Sequence, residues 1–140
     1  MNRINPCYRY MEQLKKNTSL SREYGQFISQ FDWRYFMTCR HRYKLSERTI
    51  RKWTDKLFKA SLSISRIYWV LERDSKDPSS KHAHMLLECS EEITQNQLKK
   101  SLNTSVGDFD QIRSKTAVNN YVTKFISSHN IEYDIVDPKS

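Results

Sequence analysis

The sequence holds few of the residues that interrupt regular structure. Two glycines and three prolines in 140 residues argue against a linker-rich or disordered chain. The three cysteines, Cys7, Cys39 and Cys89, lie far apart without a CxxC pair, which argues against a disulfide framework or a zinc knuckle. No segment approaches the roughly 18 apolar residues of a membrane-spanning helix, and the start of the chain lacks the apolar core of a signal peptide. We therefore expect a soluble, cytoplasmic protein with reduced thiols and no membrane partner.

What the sequence does have is an excess of positive charge. Lys and Arg number 24 against 16 Asp and Glu, which gives a net charge of +8 and a pI near 9.5. Such an excess on a small domain favours a polyanionic partner, with nucleic acid ahead of an anionic membrane surface. The length fits one domain, and a hydrophobic content of 37% is enough for a packed core.

Hydrophobic periodicity divides the chain into an N-terminal helical extension, residues 1–31, and an α+β domain, residues 32–137. Helical spacing predicts helices at 45–64, 94–103 and 115–130. Alternating and aromatic runs predict strands at 33–40, 66–74, 82–90, 109–114 and 132–136. This order predicts an antiparallel sheet of about five strands with packed helices, of the ferredoxin-like or RRM-like kind that contains a split βαβ unit.

The segment HAHMLLE places two histidines on one face of the third predicted strand. In an antiparallel hairpin whose turn centres on Asp77, Glu72 lies opposite His82. Side chains at i and i+2 share a face, so Glu72, His82 and His84 should converge, with Glu88 as the alternative carboxylate if Glu72 points away. Two imidazoles and a carboxylate with an open side suit Mn²⁺ or Mg²⁺, although zinc and iron also accept such ligands.

The predicted helix at 115–130 carries Tyr121 and Lys124 about 60° apart around its axis. Taken singly, the tyrosine is typical of a boundary aromatic and the lysine of a solvated charge. Beside a metal site, the two residues together indicate a reaction at a phosphodiester. A tyrosine oxygen can attack a phosphodiester whose charge a metal neutralises, and a lysine can stabilise the charge that develops.

Three segments, FMTCR, HAHMLLE with the upstream VLERD, and YVTKF, occur in the order of the three motifs of HUH-superfamily replication initiators. From residue 33 to residue 126 the chain resembles the rolling-circle Rep endonucleases of small plasmids, phages and single-stranded DNA viruses. The resemblance implies an HUH endonuclease fold for residues 32–137. No counterpart of residues 1–31 can be named.

The resemblance also implies roles for single residues. Glu72, His82 and His84 would bind the divalent metal, Mn²⁺ or Mg²⁺. Tyr121 would attack a DNA phosphate and stay linked to its 5′ side, which frees a 3′-OH. Lys124 matches the lysine of the YxxK motif.

Other positions of the motifs have less specific implications. The first motif is structural or contacts DNA in the family, which makes Thr38 and Arg40 secondary site candidates. Phe125 stands where some members carry a second tyrosine, so the chain resembles a one-tyrosine enzyme. Ending a replication round would then need a second subunit, another tyrosine such as Tyr133, or water.

The implied function is site-specific nicking and rejoining of single-stranded DNA at the start of rolling-circle replication. Its partners would be single-stranded or hairpin origin DNA, a helicase, a polymerase and a second copy of the chain. The helicase must be a separate protein, since the chain has no P-loop. One alternative is a single-tyrosine HUH transposase, although these generally pair the tyrosine with a downstream glutamine. The other is a non-catalytic RRM-like nucleic-acid-binding module, which would need no metal and form no covalent adduct.

Overall fold

The computed structural model describes residues 26–40, 45–74, 80–114, 116 and 132–138. In these residues it contains five strands and two helices, besides one helical turn at residues 26–29. The elements, in chain order, are β1 (Tyr35–Arg40), α1 (Glu47–Ala60), β2 (Ile64–Arg73), β3 (Lys81–Cys89), α2 (Gln95–Leu102), β4 (Ser105–Gln111) and β5 (Glu132–Val136). Nearly all of the predicted helix at 115–130 and residues 1–25 of the predicted extension lie outside the described residues.

The strands form one open antiparallel sheet in the order β4-β1-β3-β2-β5. β3 lies between β1 and β2, so the unit β1-α1-β2 is split by an antiparallel strand, which is consistent with the ferredoxin-like class. The predicted α+β class and the antiparallel sheet of about five strands are confirmed.

β2 and β3 pair in the register that a turn at Asp77 predicts. Glu72 lies opposite His82, and Val70 lies opposite His84. A slip of one residue would turn His82, His84 and Glu88 toward the face that α1 and α2 cover, and the cost of burying these polar side chains holds the register. The same slip would carry Glu72 away from the histidines.

The two faces of the sheet are packed by different elements. α1 and α2 cover one face, where they enclose the larger core together with alternate strand residues such as Met37, Met85 and Leu87. On the other face a smaller cluster forms, in which Ile28 and Trp33 pack against the strands. The histidines and Glu72 lie on this second face, at the end of the β2–β3 hairpin.

α1 is amphipathic and begins at Glu47, two residues after the predicted start at 45. Ser46 is its N-cap, since the Ser46 side chain accepts a hydrogen bond from the Thr49 backbone N–H. Trp53 is buried in the core, as expected from the helical spacing. The predicted end at residue 64 is wrong: the helix ends at Ala60, and the chain turns so that Ile64 begins β2.

β4 lies earlier in the chain than the predicted 109–114. It pairs with β1 through a register shift, with Phe109 opposite Met37 and Val106 opposite Cys39. The extra residue of this bulge interrupts the alternation that identifies a strand in a sequence. The prediction therefore missed the first half of β4.

Cys39 and Cys89 are free and buried. Burial raises the pKa of the Cys39 thiol to about 12, so this side chain stays protonated and packs as a small apolar group. Within the described part of the chain, neither helix has the length and apolar composition needed to cross a membrane.

The core predicts unequal costs for two leucine truncations. Leu57 is fully buried on α1, whereas Leu62 is 97% exposed in the turn that follows. Leu57→Ala should lower the free energy of unfolding by about 2–5 kcal/mol, because it removes buried methyl groups and leaves a cavity. Leu62→Ala is the matched control and should change stability by less than about 0.5 kcal/mol. Urea unfolding of both variants measures the difference, and equal losses would contradict the packing described here.

Candidate metal centre

Three potential metal ligands meet at the end of the β2–β3 hairpin: Glu72, His82 and His84. The Oε1 atom of Glu72 lies 3.0 Å from Nε2 of His82 and 3.4 Å from Nε2 of His84. The two Nε2 atoms are 3.0 Å apart. Neighbouring ligands that each lie about 2.1 Å from one cation are about 3.0–3.4 Å from each other. The three atoms are thus spaced as ligands of a single divalent ion, and the group could hold one.

The cluster is partly open to solvent. The side chains of His82 and His84 are 12% and 15% exposed, and that of Glu72 is 26% exposed. Three protein ligands on one side of an ion leave its other positions to water or to substrate oxygens. The arrangement therefore suits a metal that contacts a substrate better than a closed structural site.

Glu88, the alternative carboxylate, is engaged elsewhere. Its Oε1 accepts hydrogen bonds from Arg66 Nη1 at 2.7 Å and Ser65 Oγ at 2.8 Å, and its Oε2 accepts one from the Asp32 backbone N–H at 3.0 Å. Because both oxygens have partners away from the imidazoles, Glu72 is the carboxylate of the cluster.

Side chains from the neighbouring strand β1 hold the ring of His84. Its Nδ1 atom lies 3.1 Å from the Thr38 hydroxyl, and its ring stacks on Phe36 with 5.6 Å between centroids. Thr38, a secondary candidate from the first motif, therefore contacts the site through a histidine. These contacts leave Nε2 of His84 facing Glu72.

The ring of His82 is held by a residue that sequence reasoning did not select. Its Nδ1 atom contacts Oδ1 of Asp74, directly after β2. Arg40 Nη1 donates to both oxygens of Asp74, at 2.9 and 3.2 Å. The alternation rule offered a signal, because Asp74 lies two positions after Glu72 and so belongs to the same face.

The charges around the site favour binding of a cation at neutral pH. The hydrogen bond from Arg40 lowers the pKa of Asp74 to about 2, so Asp74 is a carboxylate. Burial, followed by the charge of His82, lowers the pKa of His84 to about 4, although Glu72 acts in the opposite direction. His84 is consequently neutral at pH 7, and its ring lone pair is available to a metal.

Comparison of the chain with protein-family models, with curated proteins and with solved structures finds no match.

The other predicted site residues lie apart from this cluster or beyond the described part of the chain. Tyr121 and Lys124 fall outside the described residues, as does the turn at Asp77. Tyr133 lies on β5 opposite Val70, which in turn lies opposite His84. It shares the face of the histidines but is only 4% exposed, within the smaller core cluster.

The geometry predicts that Mn²⁺ binding depends on Glu72 and not on Glu88. Loss of a side chain that only orients a ligand typically weakens metal binding by roughly 10- to 100-fold. Glu72→Ala removes a ligand itself, so it should weaken Mn²⁺ binding by more than that. Glu88→Ala removes a carboxylate from the same sheet face without touching the imidazoles, and should retain the wild-type affinity. Calorimetric titration with Mn²⁺, with thermal unfolding as a check on folding, compares the two. Equal affinities in both variants would remove Glu72 from the site.

Proposed function

We propose that this protein is an HUH-type endonuclease, with a ferredoxin-like HUH fold over residues 32–137. It nicks and rejoins single-stranded DNA with the help of a divalent metal and so initiates rolling-circle replication. The observation that carries the proposal is the convergence of Glu72, His82 and His84 on one open sheet face, with ligand atoms no more than 3.4 Å apart. The resemblance of the sequence to Rep proteins adds Tyr121 and Lys124.

The donor set supports Mn²⁺ or Mg²⁺ as the cofactor. One carboxylate oxygen and two imidazole nitrogens, with an open side, suit an ion that also takes oxygens from water and phosphate. When bound, the ion would neutralise charge on the oxygens of the DNA phosphate. Glu72, His82 and His84 would hold it, and the contacts made by Thr38 and Asp74 keep the two rings in place.

In the proposed reaction the phenol oxygen of Tyr121 attacks the phosphorus of a DNA phosphodiester. A bond forms between that oxygen and phosphorus, the bond from phosphorus to the 3′ oxygen breaks, and the phenol proton is finally carried by the 3′ oxygen. The products are a 5′-phosphotyrosine and a free 3′-OH that a polymerase can extend. Attack by a 3′-OH on the phosphotyrosine reverses the step and rejoins the strand, because the phosphoester energy is retained.

Lys124 has an electrostatic role in this proposal. Lys124 lies one turn along the predicted helix from Tyr121, and its ammonium group stabilises the negative charge that develops on the phosphate and the phenol oxygen. Phe125 offers no hydroxyl, so each subunit supplies one nucleophile, and a second copy of the chain is the proposed partner at the end of a round.

The electrostatics of the whole chain support a DNA substrate. The net charge of +8 attracts a phosphate backbone and makes binding depend on salt. Single-stranded or hairpin origin DNA is the substrate we propose, with a helicase and a polymerase supplied by other proteins.

The first test compares the proposed nucleophile, Tyr121, with Tyr133, a buried tyrosine on the sheet face of the histidines. Tyr121→Phe keeps the ring and removes the attacking oxygen, so DNA binding should persist while the covalent adduct is lost. Tyr133→Phe is the matched control and should form the adduct at the wild-type level. The measurement uses labelled single-stranded DNA with Mn²⁺, followed by denaturing electrophoresis.

Each outcome of that assay bears on one hypothesis. An adduct in Tyr121→Phe would assign the attack to another residue. Absence of any adduct in the wild type, with DNA bound, would favour the RRM-like binding module. An adduct that forms equally well with excess chelator would contradict the role of the metal.

The second test concerns Lys124. At saturating DNA, Lys124→Ala should cleave about 100-fold more slowly, which corresponds to about 3 kcal/mol of transition-state stabilisation. Lys124→Arg should recover only part of the rate, because arginine keeps the charge but not the compact ammonium group. Lys100→Ala, at an exposed position on α2, is the control and should cleave at the wild-type rate. A wild-type rate for Lys124→Ala would reduce this lysine to part of the basic surface.

A further inference from the structure

Asp74 contacts the cluster from outside the set of candidate ligands. Its side chain is 19% exposed, and its Oδ1 atom contacts Nδ1 of His82, the ring nitrogen that points away from Glu72. The opposite nitrogen, Nε2, faces Glu72 and His84. Asp74 thus lies behind His82 as seen from the cluster.

The positions of the protons on Asp74 and His82 determine the role of this contact. An ionised carboxylate can only accept a hydrogen bond, and a neutral imidazole carries a proton on one nitrogen alone. Asp74 forms an ion pair with Arg40 at 2.9 Å, so its Oδ1 atom is the acceptor in this contact, and the proton of His82 lies on Nδ1. The Nε2 atom of a neutral His82 then carries the lone pair that a metal needs.

The partner of His84 lacks this selectivity. The Thr38 hydroxyl can donate to Nδ1 or accept from it, so the contact of 3.1 Å orients the ring without fixing where its proton is. At His82, by contrast, the partner of Nδ1 is a charged group that sets the tautomer.

Arg40 determines how Asp74 is used. Its Nη1 atom donates to both carboxylate oxygens, at 2.9 and 3.2 Å, and it reaches them from β1 past the intervening strand β3. This pair holds the carboxylate against His82 and uses one lone pair of each oxygen. Because Oδ1 contacts Nδ1, the ring nitrogen that points away from Glu72, the geometry favours Asp74 as an outer partner instead of a fourth ligand.

We infer that Asp74, anchored by Arg40, is a positioning residue that fixes His82 in the Nδ1–H tautomer and directs its Nε2 lone pair at the metal. The inference rests on the metal site of the proposed function. Outer partners of this kind typically account for roughly 10- to 100-fold in metal affinity.

The test is a Mn²⁺ titration of the full-length protein and four variants: Asp74→Ala, Asp74→Asn, Arg40→Ala, and the double variant of Arg40→Ala with Asp74→Ala. Asp74→Ala should bind Mn²⁺ about 10- to 100-fold more weakly than the wild type. The amide oxygen of Asp74→Asn still accepts a hydrogen bond but carries no charge, so the Mn²⁺ affinity of this variant should lie between those of the wild type and Asp74→Ala. It also provides a test if the alanine variant fails to fold. Arg40→Ala should also bind more weakly than the wild type, because Asp74 loses its anchor.

The double variant separates positioning from simple charge. It has the net charge of the wild type, so a purely electrostatic effect of Asp74 predicts that Mn²⁺ affinity returns. Positioning predicts that the double variant stays as weak as Asp74→Ala, since His82 still lacks its acceptor. Asp134→Ala is the control, because Asp134 also pairs with an arginine, Arg51, at 3.0 Å, but lies opposite Trp69 on the sheet face that the helices cover.

A second measurement observes the tautomer directly. Long-range ¹H–¹⁵N correlation of the Zn²⁺-loaded protein, which is diamagnetic, should show His82 protonated on Nδ1 and ligated through Nε2. A wild-type His82 ligated through Nδ1, wild-type Mn²⁺ affinity in Asp74→Ala, or recovered affinity in the double variant would each overturn the inference. Failure of the wild type to bind any divalent metal would instead contradict the proposed metal site itself.

Discussion

The pairing register of β2 and β3 is the constraint on which the candidate site depends. Glu72 faces two imidazoles only because it lies opposite His82 and shares a face with it. A slip of that register is resisted because it would turn the polar side chains of β3 into the core under the helices. The two faces of the sheet have different roles. α1 and α2 bury the main core on one face, and the opposite face presents the polar cluster at the end of the hairpin.

The parts of the site that follow from strand geometry could be predicted from the sequence. Once the turn is placed at Asp77, hairpin pairing and the alternation of side chains follow from residue numbers, and they bring Glu72, His82 and His84 together. The class of the fold follows in the same way from the order of periodic segments. Trp53 belongs to the core because a regular helix places it on the apolar face of α1.

The parts that depend on side-chain reach or on local irregularity could not be predicted. Alternation puts Asp74 on the face of Glu72, but its contact with His82 depends on Arg40, which extends from another strand. A bulge interrupts the alternation at the start of β4, so the sequence pattern does not show where this strand begins. Apolar residues continue the helical spacing up to Ile64, so the pattern does not show that α1 ends at Ala60. The metal itself cannot be read from the donors alone, because two imidazoles and one carboxylate suit several divalent ions.

The central claim is that one divalent cation binds between a carboxylate of β2 and two imidazoles of β3. Anomalous X-ray diffraction from crystals soaked in Mn²⁺ tests it most directly, because the signal locates the ion independently of any assay. We expect one strong peak on this sheet face, about 2.0–2.2 Å from Oε1 of Glu72 and from Nε2 of both His82 and His84. A fully soaked crystal with no peak there, or with the ion held by other residues, would contradict the account.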